Sequence, residues 1–275
     1  MYNIGIVGNG FVGSAVAFGF SSRTGCNSEV KIYDKDKSKS SHELSDVING
    51  SDFIFVSVPT PANEDGSVNT GIVEDIFSEM NALNSKRDNV FLLRSTVAPG
   101  TTRKVQADCP KLRIVFNPEF LTEKSAKFDF INQSRFILGG QQKKLDYDAG
   151  RVADLFRRRF GESIPIIRTD YETAEFIKYM NNCYFATKIS FLNEMNQIAA
   201  ECGVDWSVAV DGFARDGRVG HSHLSVPGPD GKYGFGGSCF PKDIQAMISF
   251  AKTLGIEPSV LEGAWSKNLN VRTED

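Results

Sequence analysis

The stretch Thr169–Cys202, TDYETAEFIKYMNNCYFATKISFLNEMNQIAAEC, decides the organisation that we expect for the whole chain. It contains neither Pro nor Gly, so nothing interrupts a helix before Gly203. At 1.5 Å per residue, such a helix is roughly 50 Å long, which is longer than a small domain is wide. Thr169 and Glu172 have the spacing of a capping box, in which two side chains bind backbone N–H groups of the first turn. We therefore predict one long central helix that starts at Thr169.

Apolar side chains fall on more than one face of this helix, which is more than a helix on the surface of a domain needs. They are Phe176, Met180, Cys183, Ile189, Leu192, Met195 and Ile198. The pattern predicts a helix buried between other elements, and we expect a homodimer built on it. Lys178 and Asn182 are four residues apart, so their ammonium and carboxamide groups can point into one cavity. A solvated lysine and a capping-type asparagine on a core helix are the alternative interpretation.

The length of 275 residues favours two structural units, which we place at residues 1–168 and 169–275. The net charge of −3 gives no basic footprint for nucleic acid. No apolar run approaches the roughly 20 residues of a membrane span, and the N-terminal residues lack the pattern of a signal peptide. The five cysteines are odd in number and lack CxxC spacing, which argues against a disulfide framework and a zinc site. We expect a cytoplasmic protein without a bound metal.

A dinucleotide-binding pattern opens the first unit. The short apolar strand Asn3–Val7 leads into Gly8, Asn9, Gly10, Phe11, Val12 and Gly13, and a helical run follows. Gly8 permits the tight turn, Gly10 lets a pyrophosphate approach the backbone, and Gly13 allows close packing of helix and strand. A second strand ends in Asp34, where a carboxylate can bind ribose hydroxyls and disfavour a 2′-phosphate. The pattern predicts NAD rather than NADP, a preference that the adjacent Lys35 can weaken.

Further strands and helices alternate along the first unit, which predicts a mostly parallel sheet with helices on both faces. Three of the strands end in unusual sequences: Val58-Pro59-Thr60-Pro61, the run that begins Arg94-Ser95-Thr96, and Asn117-Pro118-Glu119-Phe120-Leu121-Thr122-Glu123. Ligands of such folds bind beyond the carboxyl ends of the strands. Each sequence is also ordinary turn chemistry, but three in succession at this edge favour a binding site.

The second unit contains a candidate nucleophile. An irregular, glycine-rich stretch from Asp216 to Ser238 ends in GFGGSCFPKD and runs into a helix. Cys239 falls at the start of that helix, where the helix dipole favours a thiolate. We treat the other four cysteines as inert core residues.

These motifs, GNGFVG, VPTP, RSTVAPGTT, NPEFLTE, KYMNN, GRVGHSH and VPGPDGKYGFGGSCFPKD, resemble in this order the UDP-glucose/GDP-mannose 6-dehydrogenase family. The resemblance covers nearly the whole chain. It implies an NAD-dependent, four-electron oxidation of a sugar-nucleotide alcohol to a carboxylate, with UDP-glucose as the expected substrate and UDP-glucuronate as the product. GDP-mannose and UDP-N-acetylmannosamine are the alternative substrates.

The resemblance also assigns roles to residues. It implies that Cys239 forms a thiohemiacetal and then a thioester, that Lys178 and Asn182 stabilise the oxyanion, and that Glu119, Asp243 and Thr96 serve the hydrolysis, with Glu119 as the base and Asp243 tuning Lys178. Arg218 resembles an arginine that reaches the sugar nucleotide of a neighbouring subunit. The remaining contacts to cofactor and substrate are implied for Gly8, Gly10, Phe11, Val12, Gly13, Asp34, Lys35, Pro59, Thr60, Ser95, Thr96, Glu119, Phe120, Leu121, Glu123, Lys178, Asn182, Phe235, Gly236 and Gly237.

The chain departs from the family pattern at three places. The family usually has a third, nucleotide-binding-like domain after the helices that follow the cysteine loop, and this sequence stops at Asp275. The segment between Asp34 and Ser51 is short, and Ile131–Arg135 lacks the usual Pro-Asp-Arg type of ending. A natural minimal form and a truncated form both fit. Two other functions stay open, namely a hydroxyacid dehydrogenase that performs one hydride step without the cysteine, and a non-catalytic NAD-binding remnant.

Overall fold

A computed structural model describes residues 2–86, 88–141 and 145–272. The contacts between Cα atoms divide the chain into two compact units. The first unit comprises Met1–Pro61 and Asn69–Lys178, and the second comprises Ala62–Val68 and Tyr179–Asp275. The division near Lys178 falls inside the long helix, so this helix supplies residues to both units.

A seven-stranded sheet forms the first unit within the described residues. Its strands are β1 (Tyr2–Val7), β2 (Ser28–Tyr33), β3 (Phe53–Val56), β4 (Val90–Leu93), β5 (Ile114–Phe116), β6 (Phe136–Gly140) and β7 (Ile166–Asp170). The spatial order is β2-β1-β3-β4-β5-β6-β7, and every pair is parallel except β5 with β6. The chain leaves β1 toward β2 on one side and returns to β3 on the other. Parallel sheets bind ligands at such a reversal of strand order, which here lies between β1 and β3.

Ten α-helices accompany the sheet and build the second unit in the described part of the chain. They are α1 (Phe11–Gly19), α2 (Leu44–Gly50), α3 (Gly71–Leu83), α4 (Thr101–Asp108), α5 (Ala126–Ile131), α6 (Gly150–Phe160), α7 (Tyr171–Glu201), α8 (Trp206–Ala214), α9 (Phe240–Thr253) and α10 (Ser259–Val271). Sequence analysis did not predict α5 or α10. The mostly parallel α/β unit and the long helix confirm the predicted fold class.

Two hydrophobic clusters hold the sheet of the first unit between its helices. The central strands β3, β4 and β5 consist only of buried residues, as expected for parallel strands covered by helices on both faces. One cluster is rich in phenylalanine: the rings of Phe136 and Phe156 stack at 4.0 Å between centroids, and Phe130 meets Phe160 edge-on at 5.5 Å. This packing holds the carboxyl ends of the strands, and the loops that leave them, on a rigid frame.

Helix α7 begins at Tyr171, so the capping box predicted at Thr169 is wrong. Thr169 belongs to β7, where it pairs with Gly139. Asp170 caps the helix instead, because its carboxylate accepts hydrogen bonds from the backbone N–H of Thr173 at 2.8 Å and from its hydroxyl at 3.0 Å. Glu172, the other half of the predicted box, binds the guanidinium group of Arg103 at 2.7 Å.

The prediction that α7 is buried on several faces holds for only part of the helix within the single chain. Cys183 and Leu192 are buried, whereas Phe176, Met180 and Ile198 are each about half exposed, at 48, 57 and 50 %. The remaining apolar face of α7 is open to solvent in the described structure.

The second unit packs around a small cluster of buried residues on α7, α9, α10 and the segment before α9, which includes Cys183, Ala186, Phe235, Ile244 and Ala264. The long irregular segment between α8 and α9 lies in this unit. Among residues 2–86, 88–141 and 145–272, no helix combines the length and the apolar character that a membrane crossing requires.

Candidate active site

The glycine-rich turn after β1 has the geometry of a phosphate-binding turn. A Cβ atom on Gly13 would lie 1.9 Å from the carbonyl oxygen of Gly8, and one on Gly8, at φ +88°, would lie 2.2 Å from the carbonyl oxygen of Ser57. Both positions therefore admit only glycine. A Cβ on Gly10 would meet nothing within 4 Å, so the backbone is open there. Gly10 is also the N-cap of α1 and makes no side-chain cap, which leaves the first N–H groups of the helix available to an anion.

The carboxylate of Asp34 supports this turn. It accepts a hydrogen bond from the backbone N–H of Asn9 at 2.6 Å and one from the backbone N–H of Asp36 at 2.8 Å. Asp34 is half-buried and follows β2 directly, as predicted, whereas Lys35 is exposed. The structure thus places a negative charge next to the turn, where a ribose would lie in a dinucleotide complex.

The ends of β3 and β4 contact each other in the first unit. The hydroxyl of Ser95 donates to the carbonyl oxygen of Val58 at 2.7 Å and accepts from its N–H at 3.0 Å. Ser95 thereby fixes the loop that carries Pro59 and Thr60. Thr60 is largely buried and Thr96 half-buried, so the predicted cofactor residues of these two loops lie at one edge of the sheet.

Lys178 and Glu119 form a buried ion pair in the first unit. The ammonium Nζ donates to the Glu119 carboxylate at 2.9 Å and to its backbone oxygen at 2.6 Å. Only 4 and 6 % of the two side chains is exposed. Burial by itself raises the pKa of Glu119, but Lys178, the N–H of Leu121 at 2.7 Å and the charge of Arg94 outweigh it and lower the pKa. Glu119 is therefore held as a carboxylate.

Arg94 is a buried charge next to this pair that sequence analysis did not select. Its guanidinium group hydrogen-bonds the side-chain oxygen of Asn117 and lies 5.6 Å from the centroid of the Phe130 ring. Burial lowers the pKa of Arg94 to about 10, while Glu119 acts in the opposite direction. The position at the end of a buried strand was the only sequence signal for it.

Two cations lie near the ring of Phe120, the residue after Glu119: the guanidinium carbon of Arg135 is 4.4 Å from the ring centroid and the Lys178 ammonium is 5.5 Å from it. Leu121 is buried, and Glu123 is exposed in a 3-10 turn (Glu123–Ser125). The segment after β5 thus directs Glu119 inward and leaves Glu123 at the surface.

Glu175 was also missed by sequence analysis. It is fully buried on α7, and its carboxylate accepts hydrogen bonds from the N–H of Gly100 at 2.6 Å and from the N–H of Thr102 at 2.8 Å. These groups belong to the first turn of α4, so Glu175 caps that helix from a distance of 75 residues in sequence. Burial, the largest influence, raises the pKa of Glu175 to about 7.

In the second unit, Cys239 is the N-cap residue of α9 and is half-buried. Its backbone oxygen accepts from the N–H of Asp243 at 2.8 Å. The Asp243 carboxylate, which is 1 % exposed, accepts from the side-chain N–H of Asn182 at 2.6 Å and from the Lys242 ammonium at 2.5 Å. Asp243 therefore connects the cysteine turn to Asn182, which is itself 5 % exposed.

The glycine-rich segment before Cys239 has a buried core. Phe235 is 2 % exposed and packs in the cluster of the second unit, so its ring is a structural group. Gly237 has φ +76° and open space at its Cβ position. Arg218 is 90 % exposed and forms an ion pair with Asp216, which leaves its guanidinium group at the surface of the single chain.

Comparison with known proteins assigns the family. Residues 31–158 match the NAD binding domain of the UDP-glucose/GDP-mannose dehydrogenase family, and residues 172–270 match the central domain of the same family. The chain belongs to this family. The resemblance expected from the sequence is confirmed, and so is NAD as the cofactor of its first unit. The first unit fits that cofactor, because the backbone is open at Gly10 and Asp34 lies beside the turn.

The similar proteins are longer than this chain. A UDP-glucose 6-dehydrogenase of Haloferax volcanii is 31 % identical over 251 residues, which are 87 % of this chain and 57 % of that protein. One from Bacillus subtilis is 34 % identical over 80 % of this chain and 49 % of its own length. The chain therefore spans about half the length of these curated relatives. The solved UDP-glucose dehydrogenase of Pyrobaculum islandicum superposes with a TM-score of 0.82 at 26 % identity, covering 98 % of this chain and 68 % of that one.

Proposed function

We propose that this protein oxidises the primary alcohol of a nucleotide sugar to a carboxylate with NAD, and that UDP-glucose is the substrate. The observation that carries the proposal is Cys239 at the N-terminus of α9, joined through Asp243 to the carboxamide of Asn182. Oxidation of an alcohol needs no nucleophile from the protein, whereas an aldehyde can lose a hydride only after a nucleophile has added to its carbonyl, and a thiol does this well. The names of the similar proteins support UDP-glucose as the sugar nucleotide.

Cys239 supplies the covalent chemistry of the second oxidation. Its sulfur adds to the aldehyde carbon, and the carbonyl oxygen becomes the hydroxyl group of a thiohemiacetal. Loss of a hydride from that carbon and a proton from that hydroxyl gives a thioester. Water then releases the acid and restores the thiol. When bound, NAD⁺ accepts the hydride of each oxidation. The N-terminus of α9 favours the thiolate form that this addition requires.

Asn182 and Lys178 supply the donors for the developing oxyanion. The Asn182 side chain is held by Asp243 and the Lys178 ammonium by Glu119, so neither group has to reorganise during the reaction. Both side chains are nearly inaccessible to solvent, which strengthens their electrostatic effect.

Glu119 is the proposed base for thioester hydrolysis, with Thr96 orienting the water. The lowered pKa of Glu119 keeps it in the carboxylate form that can accept a proton, although it also makes the carboxylate a weaker base. The ion pair with Lys178 suggests a second role in holding the ammonium group in place. The resemblance implied that Asp243 tunes Lys178. Because its carboxylate accepts a hydrogen bond from the Asn182 side chain at 2.6 Å, we propose that it orients Asn182.

Substrate binding is assigned to the segment after β5 and to the glycine-rich segment. Phe120 and Leu121 would line the sugar end, and the backbone of Gly236 and Gly237 would surround it. Arg218 is exposed on its own chain, which agrees with a role at the substrate of a neighbouring subunit.

The exposed apolar face of α7 supports a homodimer. Tyr184, Phe191 and Phe213 line an open groove of ≈ 390 Å³ in the second unit, and Tyr184 and Phe191 are 56 and 50 % exposed. An apolar surface of this kind is typical of a subunit interface. Sedimentation at micromolar concentration measures the association directly, and a monomer would contradict the proposed dimer.

The assay incubates the protein with NAD⁺ and, separately, UDP-glucose, GDP-mannose and UDP-N-acetylmannosamine. We expect about two NADH per UDP-glucose and the uronate as the product. Cys239→Ser is expected to stop acid formation, because a hydroxyl is a much weaker nucleophile than a thiolate. Cys202→Ser is the matched control, since Cys202 is an exposed thiol at the C-terminal end of α7.

The same assay separates the alternatives. One NADH per sugar with release of the aldehyde by the unmodified protein would identify a single-hydride dehydrogenase and refute the proposal. NAD binding without turnover of any of the three sugar nucleotides would identify a non-catalytic NAD-binding protein.

A further inference from the structure

The glycine-rich segment before Cys239 is tied to two helices by asparagine side chains. The Asn268 oxygen accepts from the backbone N–H of Phe235 at 2.6 Å, and its NH₂ group donates to the Phe235 carbonyl at 3.1 Å. One carboxamide thus satisfies both backbone groups of one residue, as a neighbouring strand would. Asn193 of α7 accepts from the N–H of Gly234 at 3.0 Å. Asn193 and Asn268 are 2 and 3 % exposed, so these bonds form away from solvent.

Arg272 adds a second attachment from the end of α10. Its guanidinium group donates to the carbonyl oxygen of Tyr233 at 3.3 Å and to the carboxylate of Asp230 at 2.7 Å. It also lies directly against the backbone of Gly236, because a Cβ there would be 2.1 Å from Nη2. The absence of a side chain at Gly236 is therefore a condition for this contact.

The attachment extends to the cysteine by two routes. Along the chain, only Gly237 and Ser238 separate the held segment from Cys239. Through space, the ring of Phe235 meets that of Phe240, the residue after Cys239, edge-on with centroids 6.4 Å apart. Phe235 is held at its backbone by Asn268 and at its ring by the cluster of the second unit, so its position constrains both sides of the cysteine.

We propose that Asn268 and Arg272 are positioning residues for Cys239, and that the end of α10 is part of the machinery that holds the nucleophile. The effect of these two residues on catalysis rests on the proposed function, whereas their effect on the position of the Cys239 thiol does not. Nucleophilic attack tolerates little displacement, and an error of about 1 Å can reduce a rate by about 100-fold. Loosening either attachment is therefore expected to lower kcat more than it changes KM for NAD⁺, since the nucleotide is bound by the first unit.

Asn268→Asp is the decisive variant. A carboxylate still accepts from the N–H of Phe235, but it repels the Phe235 carbonyl that the carboxamide NH₂ binds. Protonation of the introduced carboxyl group restores a donor to the Phe235 carbonyl. We expect kcat at neutral pH to fall by about tenfold or more, and the ratio of variant to unmodified protein to rise as the pH is lowered from about 8 to about 5. Asn270→Asp, two residues away on the exposed side of α10, is the matched control and is expected to behave like the unmodified protein.

Two measurements that do not need turnover keep this test separate from the proposed function. Hydrogen exchange of the peptide containing Phe235 is expected to be about tenfold faster in Asn268→Asp at neutral pH, because one buried hydrogen-bonded attachment is lost. The rate at which iodoacetamide modifies Cys239, followed by peptide mass spectrometry, is expected to change by about threefold or more in the same variant and to return toward normal at lower pH. Arg272→Gln provides the same comparison with an attachment nearer the surface, and a smaller change in the same direction is expected.

Unchanged exchange and unchanged cysteine modification in both variants would overturn the proposal. So would faster exchange with normal cysteine modification and normal kcat, since the segment would then be loose without consequence for the thiol. If no sugar nucleotide is oxidised by the unmodified protein, the proposed function fails, and a pH-reversible change in Cys239 modification still supports the placement of the thiol by Asn268.

Discussion

Removing one partner of the Lys178–Glu119 ion pair is expected to destabilise the first unit strongly. The two side chains are 4 and 6 % exposed, so Lys178→Met leaves a carboxylate in a site that excludes water. A buried charge that loses its partner costs about 3–5 kcal/mol of unfolding free energy. For a unit of this size, that corresponds to a decrease in Tm of about 6–20 °C. Glu119→Leu is also expected to be destabilising, because it removes the carboxylate that binds the Lys178 ammonium at 2.9 Å and the negative charge beside Arg94.

The double variant Lys178→Met/Glu119→Leu tests the cause of this loss. It contains neither charge, and its apolar side chains have volumes close to those they replace. Replacing both members of a buried pair is often neutral or even stabilising. We therefore expect the double variant to recover part of the stability that either single variant loses. The remainder stays lost, because the negative charge of Glu119 no longer lies beside the buried Arg94. Thermal unfolding followed by far-ultraviolet circular dichroism, interpreted as a double-mutant cycle, measures the coupling.

The pair also predicts how stability depends on pH. The pKa of Glu119 in the folded protein lies below its ordinary value of 4.5, so the unfolded chain binds more protons in this range. The stabilisation is therefore present above pH 4.5 and is lost as the pH falls through the lower, folded pKa. The double variant should lose less stability on acidification than the unmodified protein does.

A decrease of less than about 1 kcal/mol in either single variant would refute the reasoning, because that is the value of a solvated surface pair. Failure of the double variant to recover any stability would show that the backbone hydrogen bonds of the pair and the charge of Glu119 beside Arg94 outweigh the cost of the unpaired charge.

Three further predictions follow from the structure. Gly10→Ala should keep the unfolding free energy within about 1 kcal/mol of the unmodified value but weaken NAD binding in calorimetric titration. Gly13→Ala should lose stability, because its Cβ would lie 1.9 Å from a carbonyl oxygen, and equal stability of the two variants would contradict this. Cys183, whose pKa is raised to about 12 by burial, should resist iodoacetamide in the native state while the exposed Cys202 reacts, and equal modification in peptide mass spectra would refute its burial. Burial raises the pKa of Glu175 in the folded protein to about 7 from its ordinary 4.5, so the folded state binds more protons between these values and the unfolding free energy falls as the pH rises. In urea unfolding at several pH values, Glu175→Gln should lose less unfolding free energy over this range than the unmodified protein. The same pH dependence in both proteins would contradict the raised pKa.

The local geometry around several predicted site residues could be anticipated from the sequence. Gly8 and Gly13 were selected because a tight turn and close helix packing each exclude a side chain, and both exclusions are visible in the structure. Asp34 was located by its distance from that turn along the chain. The placement of Cys239 at the start of a helix followed from the glycine, proline and helical pattern around it.

The residues that hold these groups in place were not predictable, because they act across long sequence separations. Glu175 is 75 residues from Gly100, and Asn268 is 33 residues from Phe235. A buried carboxylate or carboxamide on a helix has the same local pattern whether it binds a distant backbone or faces solvent. The incorrect helix start at Thr169 has a similar origin, since pairing of Thr169 with Gly139 in the sheet outweighs its local tendency to cap a helix.

The distribution of aromatic side chains gives the two units different optical properties. Both tryptophans of the chain, Trp206 and Trp265, lie in the second unit, and the ring of Trp265 is 6.1 Å from that of Phe235. The sheet unit is built on phenylalanine and contains neither indole. Intrinsic tryptophan emission therefore reports on the nucleophile-bearing unit alone, and one of its two fluorophores sits beside the segment that leads to the thiol.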